Sequence, residues 1–248
     1  MNDTVAHLRN DRALFLWLLL VGLLGALSGV PWAVAVSGDP VFAWREAASS
    51  LLQLLPACAV GVWLGAKVGL GSGLRQLASR TPGACETVRK GILPGALVGL
   101  AIGAVVLLGV SSMPEDARIP GWENPTILEG LLRCLSAALT EEIAFRFGLM
   151  TLLAWVVWLG LKRPASHATS QWGGNLLAAL VFAAAHLPGQ PPDAWNPVLL
   201  VPILTVNAAA GMIMGWLFMR YGLISAIGAH FVADAVQLVI PRLAALAG

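Results

Sequence analysis

Two adjacent glutamates and an arginine interrupt an otherwise apolar stretch, LSAALTEEIAFRFGLM, between Leu135 and Met150. On a helix Glu142 and Arg146 stand four residues apart, about 40° around the axis, while Glu141 is turned from Glu142 by about 100°. One glutamate can therefore be ion-paired along its own helix, and the other is left free. A desolvated carboxylate of that kind suits general acid/base work, with Arg146 compensating Glu142; the plainer alternative is a structural ion pair beside an incidental acid. Two further i,i+4 pairs follow, Phe182 with His186 in LVFAAAHLPG and His230 with Asp234 in GAHFVADA. A lone histidine in an apolar helix is ordinarily an interhelical hydrogen-bonder. Two histidines and three carboxylates at membrane depth instead want one shared polar cavity, because intramembrane ionisable groups are costly and mark proton paths, ligands or catalysis.

The elements that must position these groups are membrane helices. The 248 residues are 58% hydrophobic and 11% charged, with a mean hydropathy of +0.79, which excludes an ordinary soluble domain. A formal charge of +2 with dispersed basic residues gives no nucleic-acid surface, and none is expected as a partner. Cys58, Cys85 and Cys134 are far apart and show no metal or disulfide spacing. Apolar runs of spanning length lie at 13–36, 44–69, 92–112, 127–161, 171–187, 197–219 and 223–246. The expected fold is thus an all-α integral membrane protein, a polytopic bundle of about seven transmembrane helices, seven or eight. Residues 1–125 hold three N-terminal spans and residues 126–248 four, within one structural domain. Ala33 and Ala35 form a small-residue pattern after the first run, but that run is too long for a signal peptide and reads as a helix.

Lysines and arginines at the span ends orient the bundle. With the N-terminus inside, Arg9, Arg12, Lys67, Arg75, Arg80, Arg89, Lys90, Lys162, Arg163 and Arg220 are cytoplasmic, against Arg45, Arg118 and Arg242 outside. SSMPEDARIPGWENPT then becomes an external loop. Thr126 and Glu129 have capping-box spacing after Pro125, so the fourth helix starts there and runs to Lys162, placing Glu141 about 22 Å along it. The Leu, Ile and Phe side chains from Ile127 to Phe147 contribute roughly −3 to −5 kcal/mol to insertion, while each central charge costs about +2.5 to +3.5. The charges win, so Glu141, Glu142, Arg146 and Arg133 must face a bundle interior or a wet cavity.

The three strings, EExxxR at Glu141, Glu142 and Arg146, FxxxH at Phe182 and His186, and HxxxD at His230 and Asp234, occur in an order and spacing that resemble the CPBP family, also called Abi or CAAX-protease-like intramembrane endopeptidases. The resemblance runs from Ile127 to about Ile240; the first 120 or so residues offer no comparable signature. It implies a membrane-embedded peptidase, glutamic in type, that cleaves a membrane-associated peptide or protein, lipidated or not, in the bilayer of a bacterial plasma membrane. Carried over, Glu141 is the general base acting on water, His186 its partner in positioning or protonating, and His230 the oxyanion stabiliser, with Glu142, Arg146 and Phe182 in support. Many relatives have Asn where this chain has Asp234. An ionised carboxylate cannot donate to an oxyanion, so Asp234 must be protonated, must orient His230, or must hold a metal.

No cofactor beyond the catalytic water is expected. Zinc is the weaker alternative, since Glu and His are acceptable ligands but HExxH is absent and Arg146 consumes Glu142. Ser136, Thr140 and Ser225 lie near the motifs without a partner lysine and read as structural. Trp155, Trp158, Trp172 and Trp195 could line an apolar groove, although an interfacial belt accounts for them better. Two other functions use the same residues: a catalytically silent scaffold or immunity-type relative, and a proton-coupled transporter, which would favour an internal repeat that the chain does not show.

Overall fold

The computed structural model describes residues 2–111, 125–162, 166–187 and 197–247. Arg118, Arg163 and Trp195, the acidic loop at 112–124 and most of the Pro-rich stretch after His186 lie outside the described residues. Everything described is helix or short connection, and the molecule is a multi-pass bundle. Six helical stretches are long and apolar enough to cross a membrane: Asn10–Ser37, Pro40–Val68, Ala84–Ser111, Ile127–Gly160, Leu200–Tyr221 and Leu223–Leu246. The remaining expected span is α8 (Ala168–Ala185), whose first half carries Ser170, Gln171 and Asn175 and which is shorter than the others.

Local chemistry explains the breaks. The first span divides at Gly29 into α1 (Asn2–Ser28) and α2 (Val30–Ser37), with Pro31 in the first turn of the second piece. A side chain at Gly29 would meet Ser136 Oγ at 2.6 Å, so the fourth span passes against the break. Asp39 caps α3 (Pro40–Leu64) by accepting from the Val41 amide at 2.8 Å. The short α4 (Ser72–Ala78) is tied to the bundle by Arg75, which pairs with Asp11 and donates to the Val62 carbonyl.

Helix α5 (Ala84–Ser111) and α10 (Leu223–Leu238) run side by side in the same direction along a ridge of glycines. Gly91, Gly95, Gly99 and Gly103 recur every four residues and are buried. Cβ atoms built on Gly95, Gly99 and Gly103 would lie no more than 2.7 Å from the carbonyl oxygens of Ser225, Ala229 and Ala233. Only glycine allows this approach, the small-residue packing by which helices associate in lipid. Ser225 adds a hydrogen bond to the Gly91 carbonyl at 2.8 Å. The ridge is legible as a period of four small residues, so the N-terminal half does carry a signature, one of packing.

The fourth span opens as expected: Thr126 Oγ1 accepts from the Glu129 amide, and Glu129 accepts from the Thr126 amide at 2.7 Å. It then departs from a uniform α-helix. Helix α6 (Ile127–Glu141) passes into a π-helical stretch, Glu142–Met150, before α7 (Thr151–Gly160) resumes. Thr151 Oγ1 donates to the Arg146 carbonyl five residues back, at 3.5 Å. Such π segments are rare and concentrate at functional sites. This one begins at the second glutamate.

Candidate active site

The cluster residues are presented by three separate stretches of helix. Glu141 ends α6, Glu142 and Arg146 lie on the π stretch, Phe182 and His186 occupy the last turn and cap of α8, and His230 and Asp234 lie on α10. Because α10 is fixed from behind by the α5 glycines through Ser225, Ala229 and Ala233, the neighbouring face with His230 and Asp234 is turned to the fourth span.

His230 is the hub. Its Nδ1 lies 2.9 Å from Glu142 Oε1, so the ring donates there to a carboxylate, and this bond aims the other nitrogen. Nε2 stands 3.8 Å from Glu141 Oε2 and 3.7 Å from Asp234 Oδ2. These separations are too long for direct hydrogen bonds and leave both carboxylates as electrostatic neighbours of the ring. Glu142 and Arg146 are sealed in, at 0% and 1% exposure, with Arg146 Nε 3.2 Å from Glu142 Oε2. The guanidinium also lies 4.4 Å over the Phe182 ring and donates weakly to Met214 Sδ at 3.8 Å. Glu142 thus has one oxygen on a histidine and the other on an arginine, and is committed to holding them.

Glu141 is the accessible acid, with 24% of its side chain exposed, but it is not free. Arg133, two turns earlier on α6, places Nη2 3.6 Å from Glu141 Oε1. The partner was present in the sequence eight residues upstream, a distance beyond the i+4 rule that governs pairs within one turn.

His186 is fixed differently. Its Nδ1–H donates to the Phe182 carbonyl at 2.8 Å, which fixes the orientation of the ring. Phe182 packs edge-on against Phe145 (5.1 Å), His186 (4.6 Å) and His230 (6.3 Å), and His186 lies close enough to act electrostatically on Glu141 and Asp234. The last turn of α8 therefore stops at the depth of the cluster. This accounts for a histidine at a helix end meeting one in mid-helix on α10.

Glu141 and Arg133 also line a cavity of about 300 Å³ bounded by α1, α2, α3 and α6. It extends to Ser37 and Phe42 at the α2–α3 turn and includes Trp32; Trp155, Trp158 and Trp172 are not part of its wall. The hydroxyl of Thr140 is spent on the Ser136 carbonyl and that of Ser225 on Gly91, as structural serines and threonines require. Among the described residues, no three His, Cys, Asp or Glu side chains are grouped so as to hold a metal ion.

The class is then defined: a polytopic helical membrane protein whose interior gathers two glutamates, an aspartate, an arginine and histidines from three separate spans. Residues 123–236, the segment that holds the whole cluster, match the family described as type II CAAX prenyl endopeptidase Rce1-like, a model of the CPBP or Abi group. No curated protein and no solved structure matches the chain.

Proposed function

We propose that this protein is an intramembrane endopeptidase that hydrolyses a peptide bond of a membrane-associated protein, lipidated or not, with a water activated by Glu141. The observation that carries the reading is the convergence of the Glu141 and Asp234 carboxylates on His230 Nε2, at 3.8 and 3.7 Å, with Glu141 also lining the cavity. In the proposed reaction Glu141 takes one proton from the water as its oxygen bonds to the scissile carbonyl carbon. His230, with a proton on each nitrogen, donates from Nε2 to the developing oxyanion and from Nδ1 to Glu142. Asp234 balances that imidazolium and orients it. The tetrahedral intermediate collapses, the C–N bond breaks, and Glu141 returns its proton to the departing amine. His186, at the cap of α8, is the partner of Glu141 in positioning or protonating.

The mechanism is proposed to be metal-free, because Glu142 is consumed by His230 and Arg146, and the remaining donors are not grouped as a ligand set. Accordingly, chelator treatment of the purified protein leaves turnover unchanged, whereas restoration of activity by added zinc after chelation would reverse this assignment. The proposed setting is a bacterial plasma membrane with the N-terminus cytoplasmic, supported by the excess of basic residues on that side.

The test is Glu141→Gln in proteoliposomes, assayed on lipidated and unmodified peptides beside wild type of matched melting temperature. The expected loss is about 10²- to 10⁴-fold, the usual worth of a general base. Equal turnover by the two proteins would remove Glu141 from the chemistry.

A further inference from the structure

The cavity in front of Glu141 has a polar wall that the proposed reaction does not use. On α3, Glu46, Ser50 and Gln53 follow one another at i, i+4 and i+7 and line the cavity together. The opposite face of the same helix is apolar and open, with Leu52 at 70% exposure and Leu55 and Trp44 also exposed. Gln53 lies 13 residues beyond Pro40, about 20 Å into a helix that spans the membrane. A hydroxyl and a carboxamide at such depths, in line with the Glu46 carboxylate nearer the helix start, are costly against hydrocarbon, so this face is kept for something that hydrogen-bonds. The Ser50 hydroxyl donates to its own helix at the Glu46 carbonyl (3.1 Å) and keeps acceptor capacity. Gln53 Nε2 makes one long bond to Ser49 Oγ, at 3.4 Å, which leaves the carboxamide oxygen and a second N–H for another partner.

An extended peptide has that requirement. Each of its residues brings an N–H and a C=O into a medium with no water to receive them, whereas a lipid chain brings none. The stripe is about 10 Å long, or about three residues of extended chain. The cavity volume is at the lower end for small-ligand sites, which limits the occupant to a short segment. We infer that this cavity holds a few residues of substrate polypeptide in extended form, with Ser50 and Gln53 hydrogen-bonding its main chain and delivering it to Glu141. The inference rests on the peptidase reading for the identity of the occupant, but its test does not depend on cleavage.

Single cysteines at Ser50 and Gln53, and at Leu52 as the lipid-face control, are introduced into Glu141→Gln, Cys85→Ser protein in nanodiscs; Cys58 and Cys134 are buried. Labelling by a charged maleimide is followed with and without an uncleaved lipidated hexapeptide. Protection of Ser50→Cys and Gln53→Cys, with Leu52→Cys unaffected, is the expected result. In the active enzyme Gln53→Leu raises KM for the same peptide roughly three- to tenfold, the worth of one hydrogen bond, and leaves kcat within about twofold. No protection at either stripe position, equal protection at Leu52, or protection by the lipid moiety alone would overturn the inference. If peptide protects these positions but wild type never cleaves it, the peptidase reading fails while the binding site stands.

Discussion

The two sides of α10 do opposite things. On one, Ser225, Ala229 and Ala233 lie against Gly95, Gly99 and Gly103 with almost no side chain between the helices; on the other, His230 meets the carboxylates of Glu142, Glu141 and Asp234 at 2.9, 3.8 and 3.7 Å. The first side is held by shape, the second by charge. Glycine packing leaves no slack, since any Cβ forces the backbones apart, whereas an ionic cluster at 3 to 4 Å tolerates small shifts in structure but not in reactivity. The position of His230 is thus set by a surface that has no chemistry of its own.

Breaking the charged side has the largest expected effect on stability. Glu142→Gln leaves Arg146 buried without its carboxylate and turns the charged acceptor of His230 Nδ1 into a neutral carboxamide. Loss of one partner of a buried pair costs about 3–5 kcal/mol. The variant is expected to melt far below wild type in detergent and to be inactive. The double variant Glu142→Gln, Arg146→Met removes both charges and should recover most of the melting temperature but not turnover, which separates structural compensation from chemistry. A Glu142→Gln protein as stable as wild type would show that the pair is not held as described.

Breaking the shaped side comes next. Gly99→Ala puts a methyl group against the Ala229 carbonyl and should cost about 1–3 kcal/mol, as overpacking does, with a fall in kcat because α10 shifts against the fourth span. Gly109→Ala, on the same helix with nothing among the described residues within 4 Å, is the control and should leave both unchanged. Equal behaviour of the two variants would mean that the ridge does not set the site.

The same contrast decides what could be read from residues alone. Costly groups in hydrocarbon announce themselves, so Glu141, Glu142, Arg146, His186, His230 and Asp234 were legible, as was the capping box that starts their helix. Gly91, Gly95, Gly99 and Gly103 were equally regular, but an absent side chain carries no chemistry and draws no notice unless packing is sought. The π register at Glu142–Met150 was not legible, because a change from i,i+4 to i,i+5 bonding has no local composition. That α8 halts at the depth of the cluster was not legible either, because its end is defined by what Phe182 touches: Phe145, Arg146 and His230 on other helices.

Arg133, which bears on charge without burial, should matter least. Arg133 is 36% exposed and its partner Glu141 24% exposed, at 3.6 Å, so as an ion pair it contributes at most about 1 kcal/mol to stability. Its consequence is geometric. Arg133 draws Glu141 Oε1 toward the cavity wall, and Oε2 is thereby left facing His230 Nε2. Arg133→Gln should therefore leave the melting temperature nearly unchanged and lower kcat severalfold at constant KM, with Arg133→Lys restoring part of the loss. A rise in KM instead would place the guanidinium on the substrate, and no change in either constant would mean that Glu141 is aimed by the helix alone.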